Sequence, residues 1–343
     1  MHGISMISDD SGLGSSVLQS RGWITQEWIL SRRVIHYRKD RIIWHCRMAG
    51  EEDCGAEWDG GRHHVQVDWD FWRNVVEAHS ARSFTFPTDK LVSLQGLVSA
   101  LNRHHEFSLM PPQFQGGYRF GLWAQRIHYD LLWVPIGIQA DPYNSTCPSW
   151  SWASRLGVIS YGVGNSGFHA DLAPRTKIRF SKSSQQTLRI RSRGKAIEAV
   201  YFQAAMQDDD EISKDGTTIA DKPSKQQAFF EDMFYLPFRP ETGGLHAFHD
   251  EFGEELGWIC LDDGNFEHSS LGDGVLFLEI GLNKFPDGHW ARWQKKEFGR
   301  EVMIWGIIAQ PTADGRAYKR IGIGMLAVIT WLDDVNTRSY RLV

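Results

Sequence analysis

The chain has 343 residues, of which 42% are hydrophobic and 23% are charged, and it carries a formal net charge of −5. This length is enough for two hydrophobic cores, and the composition is that of a globular protein rather than a disordered or collagen-like one. The negative balance provides no broad positive field, which disfavours generic binding to nucleic acid or to an anionic membrane.

Signals for secretion or membrane insertion are not found in the sequence. Residues 1–20 are rich in Ser, Gly and Asp and lack the basic and apolar regions of a secretory signal, so we predict a disordered leader. The longest apolar stretch, Ile321 to Leu332, is too short to span a bilayer, which needs about 20 residues. The four cysteines form no C-x-x-C pair, a pattern typical of a reducing compartment. We therefore expect a cytoplasmic protein.

Ordered structure is predicted to begin near Arg21 with a helix and a hairpin. Within residues 23–33, Trp23, Glu27 and Leu30 share one helical face, which indicates an amphipathic helix. Two short β-type runs follow within residues 34–46, on either side of a charged turn. This pattern predicts a hairpin.

Three further helices are predicted in the first half of the chain, which would make this part mainly helical. A Gly- and acid-rich loop over residues 50–66 precedes the first helix, Trp69 to His79, whose apolar residues recur at helical spacing. The second helix begins at Thr88, a typical N-cap residue, and continues to Leu101. The third covers residues 122–132.

The second half of the chain consists of short β-type runs separated by turns, a spacing typical of an antiparallel sandwich or barrel. An acidic, turn-rich stretch at 206–225 predicts a long mobile loop in this part. The expected fold class is α+β, with a largely helical domain over 21–155 and a β-rich domain over 156–343. The predicted strands are VISY (158–161), KIRF (177–180), TLRIR (187–191), AIEAVYF (196–202), GWICLD (257–262), GVLFLEIG (274–281), VMIWGIIA (302–309) and MLAVITWL (325–332).

The segment RGWITQEWILSRR, residues 21–33, resembles the last sequence block of the fungal heterokaryon-incompatibility (HET) domain, R-G-W-T-x-Q-E followed by an apolar residue and L-S-x-R. Further motifs resemble that family in the same order: WHC at 44–46, DKL at 89–91, GLW at 121–123, LLW at 131–133 and PSWSWAS at 148–154. The residues that the resemblance singles out are Arg21, Gly22, Trp23, Gln26, Glu27, Ser31, Trp44, Asp89, Lys90, Trp150 and Trp152.

The resemblance implies a cytosolic factor of fungal self/non-self recognition and programmed cell death, which acts through contacts with other incompatibility or cell-death proteins. It also implies a fold similar to Toll/interleukin-receptor (TIR)-like domains. Two earlier blocks of the family, A-L-S-Y-x-W-G and C-I-N-Q, have no counterpart in this sequence. We therefore expect a truncated α/β segment that retains only the carboxy-terminal part of the domain, with the β-rich remainder similar to the variable region of such proteins.

Glu27 is the candidate catalytic carboxylate under the alternative that the chain is a TIR-like NAD glycohydrolase. Beside Trp23 and Leu30 it would be partly desolvated, and its ionised form could stabilise an oxocarbenium-like centre. The structural interpretation is a first-turn glutamate that offsets the helix dipole and pairs with Arg21 or Arg32. Because the absent blocks would carry the loops on which α/β ligand sites are built, we favour an inactive chain without a cofactor.

One nucleotide-binding pattern occurs in the second half. Residues 162–167 satisfy G-x-G-x-x-G, but Pro174 and a β-type run follow too soon for the helix that would hold a pyrophosphate. We predict a loop here.

Histidines occur in three groups that we do not expect to bind metal. His246 and His249 precede two acidic residues but lack the H-E-x-x-H pattern, so we predict a solvated loop. The side chains of the adjacent histidines at 63–64 and 104–105 would diverge in any regular element.

Trp150 and Trp152 alternate as they would on a strand, which places both indoles on one face. They could stack on a sugar or a base, and a carbohydrate-binding β module is a further alternative function. Aromatic pairs at this spacing are more often buried in a core. We favour packing.

Overall fold

A computed structural model describes residues 17–37, 42–46, 50–52, 57–58, 69–102, 117–136, 146–161, 172–197, 202–204, 245–249, 255–263, 274–284, 302–326 and 329–343. The chain divides into two compact units, residues 1–125 and 126–343. This division precedes the predicted boundary at residue 155, so the motifs at 131–133 and 148–154 belong to the second unit.

The described part of the first unit combines helices with two small antiparallel sheets. The helices are α1 (Ile24–Leu30), α2 (Trp69–Ser80), α3 (Asp89–Val92) and α4 (Gln95–Asn102). The larger sheet has the order β1 (Arg33–Tyr37), β2 (Ile42–Cys46), β3 (Gly50–Glu52) and β4 (Glu57–Trp58), and the smaller one pairs β5 (Tyr118–Arg119) with β6 (Leu122–Trp123).

The predicted hairpin and the predicted helix at Trp69 are confirmed. β1 and β2 pair antiparallel with Ile35 opposite Trp44, and Phe71, Trp72, Val75 and Val76 of α2 are buried. However, β3 and β4 continue the hairpin into a four-stranded sheet through residues 50–58, where a loop was predicted. The first part is therefore not mainly helical. Polar residues give a weak strand signal, since strand formation depends on neighbouring strands more than on intrinsic propensity.

The helix predicted from Thr88 to Leu101 is confirmed over 89–92 and 95–101, but it is not continuous, because a turn divides it into α3 and α4. Thr88 has helical backbone angles and makes no side-chain capping bond. The chain turns at Ser93, whose hydroxyl donates a 3.4 Å hydrogen bond to the Lys90 carbonyl. Serine side chains that bond to nearby backbone compete with the helical pattern in this way.

The helix predicted over residues 122–132 is wrong at its start, since Leu122–Trp123 forms β6. Phe120 and Gly121 have φ of 47° and 90°, and positive φ at both central residues is what a type I′ hairpin turn requires. The hairpin packs on α2 through aromatic contacts, with the Trp72 ring 5.7 Å from those of Tyr118 and Trp123. Only the short helix α5 (Ile127–Asp130) remains of the predicted element.

The described part of the second unit is mainly β. Its strands are β7 (Val134–Pro135), β8 (Ile159–Ser160), β9 (Ala173–Pro174), β10 (Lys177–Phe180), β11 (Leu188–Ala196), β12 (Phe202–Ala204), β13 (Leu245–His249), β14 (Glu255–Leu261), β15 (Leu276–Lys284), β16 (Val302–Pro311), β17 (Tyr318–Leu326) and β18 (Thr337–Leu342). The KIRF strand coincides with its prediction. The strand predicted over 325–332 is wrong, because β17 ends at Leu326 and Ile329–Leu332 forms a 3-10 turn.

Ten of these strands form one large sheet with the order β10-β11-β15-β16-β17-β14-β13-β12, to which β9 and β18 are added. Because β18 pairs with both β11 and β17, the pairings β11-β15-β16-β17-β18 close into a ring. The sheet is antiparallel except for a single parallel pair between β17 and β18. The predicted mobile loop at 206–225 lies outside the described residues.

Phe277 of β15 shows how this sheet packs its interior. Gly306 of β16 and Gly324 of β17 lie opposite each other in register, and the fully buried Phe277 ring lies against both. A Cβ atom at Gly306 would lie 2.4 Å from this ring, and one at Gly324 would lie 2.8 Å from it. The two glycines therefore provide the space that the ring occupies.

The described helices include none that is both long and apolar enough to cross a lipid bilayer.

Candidate functional site

The HET-like segment before α1 is joined by its backbone to the loop after α2. The Gly22 N–H donates to the Ser83 carbonyl at 3.0 Å, and the Ser83 N–H donates to the Ser20 carbonyl at 2.6 Å. Arg21, which is exposed, forms the bridge residue opposite Ser83. A Cβ atom at position 22 would lie 1.8 Å from the Phe84 ring. Glycine in this motif therefore permits close contact between the two segments.

Gln26 joins α1 to α4. Its Oε1 accepts a 2.8 Å hydrogen bond from the N–H of Gly96, the second residue of α4. The first N–H groups of a helix have no acceptor within that helix, so the amide of Gln26 supplies one. A Cβ atom at Gly96 would lie 2.4 Å from Gln26 Oε1, so this position also requires a glycine for the contact.

His79, near the end of α2, connects the motif at 21–33 with the DKL motif at 89–91. Its Nε2 lies 2.8 Å from the Lys90 carbonyl oxygen, and its Nδ1 lies 2.9 Å from Thr25 Oγ1. Because a carbonyl oxygen only accepts hydrogen bonds, Nε2 carries the proton and Nδ1 accepts from the Thr25 hydroxyl. Ser93 Oγ lies 3.3 Å from Nε2. We call Thr25, His79, Ser93 and the Lys90 carbonyl the His79 cluster.

The histidine of this cluster is neutral at ordinary pH. Burial lowers the pKa of His79 to about 4, and the charges of Lys90 and Arg82 lower it further, against the opposing effect of the hydrogen bond to the Lys90 carbonyl. Its side chain is completely buried. The cluster therefore holds the helices together through neutral hydrogen bonds and presents no reactive group to solvent.

Sequence reasoning did not identify His79, although a signal was present. Trp72, Val75, Val76 and His79 occupy one face of α2, and all four are buried. A polar residue that continues an apolar helical stripe is expected to be buried with hydrogen-bond partners. That rule, applied to position 79, would have singled out the histidine.

The motif residues Trp23 and Glu27 do not take part in these contacts and are exposed. Trp23 is 38% exposed and Glu27 is exposed, whereas Thr25 is the buried residue of α1. The partly desolvated setting predicted for Glu27 is therefore not found. The reason is that Thr25 and Gln26 make the contacts of α1 with its neighbours, which leaves Trp23, the residue before the helix, and Glu27 on the exposed side.

The remaining motif residues of the first unit have structural positions. Ser31 is the C-cap residue that follows α1, and its N–H donates to the Glu27 carbonyl at 3.2 Å. Trp44 is half-buried in β2. Asp89 begins α3 and is half-buried, whereas Lys90 is buried and its carbonyl belongs to the His79 cluster.

Trp150 and Trp152, in the PSWSWAS motif, are completely buried, which confirms the packing interpretation. They do not alternate on a strand as predicted, because Trp150 lies in a turn and Trp152 begins a 3-10 turn. Ser151 sets this geometry by accepting a 3.1 Å hydrogen bond from the Ala153 N–H. The Trp150 indole donates to the Gln186 carbonyl at 3.1 Å, so its N–H is satisfied in the core.

A buried ion pair lies next to this motif and was not predicted. Arg320 of β17 bonds to the Asp262 carboxylate and the Trp133 carbonyl, and its guanidinium lies 3.5 Å from the centroid of the Trp133 ring. The backbone N–H of Arg320 donates to Ser149 Oγ at 3.0 Å. Arg155, also buried, adds a second positive charge near Asp262. We call Asp262, Arg320, Arg155 and Trp133 the Asp262 cluster.

The electrostatics of the Asp262 cluster indicate a structural role. Burial raises the pKa of Asp262, and Arg320 and then Arg155 oppose that effect. Burial also raises the pKa of the neighbouring Cys260 thiol to about 12, so this cysteine is not a nucleophile near neutral pH. Asp262 and Arg320 are 1% and 0% exposed, so substrate has no access to either charge.

The other ligand-binding patterns find no support in the described residues. The G-x-G-x-x-G run at 162–167, the histidines at 63–64 and 104–105 and the acidic pair at 250–251 lie outside them. His246 and His249 lie in β13 rather than in the predicted loop. Within the described ranges, no three His, Cys, Asp or Glu residues are grouped as a metal site would require.

Comparison with protein-family models, with curated proteins and with solved structures gives no match to this chain.

Proposed function

We propose that this chain is a HET-type factor of fungal non-self recognition and cell-death signalling that acts through contacts with other proteins and without catalysis. One observation carries the proposal. Two separate sequence blocks that resemble the HET family, RGWITQE and DKL, meet in the folded chain through the His79 cluster. Gln26 adds a contact to the helix after DKL, and the bonded partners are separated by 70 positions in the sequence.

The outer side of α1 supports a binding role for the same region. Trp23 of the motif is 38% exposed, and the nearby elements expose further large apolar side chains, namely Leu18, Phe86 and Val92. Large exposed apolar side chains are typical of surfaces that bind proteins, and tryptophan contributes strongly to such interfaces. Thr25 and Gln26 of the motif make contacts within the fold, whereas Trp23 is available for contacts with another protein.

The alternatives have less support. An NAD glycohydrolase would use Glu27 as an enclosed carboxylate, but Glu27 is exposed. A carbohydrate-binding module would use Trp150 as a stacking platform, but this indole is completely buried. The ring of pairings in the second unit supports a barrel-like scaffold as the proposed architecture of that unit.

The proposal can be tested by inducible expression in a filamentous fungus, with hyphal viability measured by a vital dye. Expression of the wild-type chain should reduce viability, and Trp23→Ala should restore it because the exposed indole is removed without disturbing the core. Ile35→Ala is a matched control, since Ile35 is 52% exposed in the same unit but lies outside the HET-like motifs. Equal viability with and without the wild-type chain, or equal loss with Trp23→Ala, would contradict the proposal.

Catalysis is tested separately with the purified chain and NAD. We expect no release of nicotinamide. Release that disappears in Glu27→Ala but persists in Glu77→Ala, a half-buried glutamate of α2, would favour the enzymatic alternative.

A further inference from the structure

Strands β10, β11 and β18 concentrate positive charge in an acidic protein. Residues 172–197 contain eight Lys and Arg and no Asp or Glu, whereas the whole chain has a net charge of −5. β18, which pairs with β11, adds Arg338 and Arg341 and no acidic residue. This local excess is hidden in the overall charge.

The strand register places five of these cations on one side of the sheet. Arg179, Arg189 and Arg341 lie next to one another across β10, β11 and β18, and Lys177 and Arg191 are paired in the adjacent row. All five side chains are exposed. The residues that alternate with them on β10 and β11 point to the other side, where most are buried. We call these five residues the basic face.

The basic face is unfavourable for folding by itself, because like charges directly opposite each other destabilise a sheet. Elsewhere on β11 the chain neutralises its cations. Arg193 donates two hydrogen bonds to the buried Glu279, at 2.7 and 3.0 Å, and Lys195 bonds to Asp334 at 3.0 Å. No described carboxylate forms a comparable ion pair with Lys177 or with the arginines at 179, 189 and 191. Repulsion retained on an exposed surface points to a ligand that brings negative charge.

The position of β10 indicates the shape of that ligand. Within the described sheet β10 is the end strand, and end strands offer backbone N–H and C=O groups to another extended segment. Lys177 and Arg179 are two residues apart, a separation of about 6.8 Å in a strand. Alternate side chains of an added strand have the same separation, so acidic residues at alternate positions would lie opposite both cations.

The surroundings of the basic face favour an acidic peptide over a nucleic acid. Asp314 lies near Arg341, whose charge contributes to the lowered pKa of that carboxyl after the hydrogen bonds from Thr312 and Arg316. Asp334, beside Lys195, is another exposed carboxylate near these strands. Such carboxylates would repel a long phosphate backbone that continued past the five cations. The basic face also includes no aromatic side chain on which a base could stack.

We infer that the basic face and the adjoining edge of β10 bind an extended acidic segment of a partner protein, with Asp or Glu at alternate positions. This inference rests on the protein-contact function proposed above, for which it supplies the chemistry of one partner. It concerns the second unit, whereas the test of the proposed function uses Trp23 in the first.

The test is fluorescence anisotropy of the full chain with a labelled peptide that alternates Glu and Thr over about ten residues, the upper length of common strands. We expect saturable binding at low salt that weakens as salt is raised, because exposed charges are screened beyond about 10 Å at 0.1 M ionic strength. The double variant Arg179→Glu with Arg191→Glu should weaken binding by about tenfold or more, since it replaces attraction with repulsion.

The matched control is Arg338→Glu, which makes the same charge change as Arg191→Glu alone but at a position opposite Ser192, on the other side of the sheet. It should retain wild-type affinity, whereas Arg191→Glu alone should weaken binding. The inference is overturned if the wild-type chain does not bind the peptide, or if Arg338→Glu loses as much affinity as Arg191→Glu. Equal binding of a peptide with its glutamates in one block would overturn the alternating arrangement.

Two further probes distinguish the class of ligand. Tighter binding of a single-stranded oligonucleotide, or of phosphatidylserine vesicles, than of the acidic peptide would overturn the choice of a protein segment. Because this assay measures binding to purified protein, its failure would leave the viability result for Trp23→Ala unaffected, and the two proposals can fail independently.

Discussion

The two units of the chain each bury a polar cluster, and the two clusters are held by different physics. The His79 cluster of the first unit consists of neutral groups, with a histidine whose pKa burial lowers to about 4. The Asp262 cluster of the second unit contains a carboxylate and two guanidinium groups. Neutral hydrogen bonds contribute modestly to the stability of the fold, and those of a histidine are lost when its ring is protonated. A buried charge is strongly destabilising when its partner of opposite charge is removed. The first cluster should therefore be sensitive to pH and the second to loss of a single charge.

The largest effect should come from removing the carboxylate of the second cluster. Asp262→Ala leaves Arg320 and Arg155 as buried cations, and breaking a buried ion pair in this way costs about 3–5 kcal/mol of unfolding free energy. Urea denaturation followed by tryptophan fluorescence would measure it. Asp314→Ala, at an exposed carboxylate, is the control, and a similar loss in both variants would contradict a special role for the buried pair.

Replacement of both charges sharpens the same comparison. Asp262→Leu combined with Arg320→Met should be less destabilised than either single variant, because the double variant no longer leaves the two groups uncompensated. A double variant that loses the sum of the two single effects would show that Asp262 and Arg320 act independently.

The next effect is the pH response of the first unit. The folded state lowers the pKa of His79 from 6.5 to about 4, so the unfolded state binds the proton more readily between these values. The contribution to stability is therefore complete above pH 6.5 and is lost as the pH falls towards 4. Between pH 7 and pH 5 the unfolding free energy should decrease by about 2 kcal/mol from this group alone. His79→Gln should remove that part of the pH dependence, and an unchanged slope in this variant would contradict the assignment.

A smaller effect is expected for Gln26→Ala, which removes the acceptor for the Gly96 N–H. The loss should be about 1 kcal/mol, as for other side chains that satisfy the first amides of a helix. Gln95→Ala is the matched control, since Gln95 is exposed at the start of the same helix. If both variants lose the same stability, the Gln26 contact contributes nothing specific.

The smallest effect should come from Asp334→Asn. Its ion pair with Lys195 has a 3.0 Å contact, but the carboxylate is fully exposed. Solvent and salt screen such pairs, so the midpoint of urea unfolding should not change measurably. A clear destabilisation here would weaken the contrast between exposed and buried charges.

Periodic segments were predictable from the sequence, and segments defined by tertiary contacts were not. The apolar stripe of α2 and the alternation of KIRF predicted a helix and a strand that the fold contains. Residues 122–132 have helical spacing, but the turn at Phe120 and Gly121 draws Leu122 and Trp123 into a hairpin. Local backbone geometry prevailed over periodicity there.

The candidate sites show the same limit. The motif resemblance selected Gly22 and Gln26. The structural roles of these two residues depend on contacts with Phe84 and Gly96, which are distant in the sequence. No local pattern brings Arg320 to Asp262, because strand order alone places β17 beside β14. Buried polar pairs of this kind follow from topology, and topology was predicted only as far as an antiparallel β class.

The cationic edge of β10 also has a consequence for self-association. If two copies of the chain joined edge to edge at β10, Lys177 and Arg179 of one copy would face the same residues of the other. Charged residues on end strands discourage such stacking and the fibrous aggregation to which it can lead. The two cations therefore disfavour pairing of β10 with the β10 of a second copy. At low salt, where their charges are least screened, they should help to keep the protein dispersed in solution.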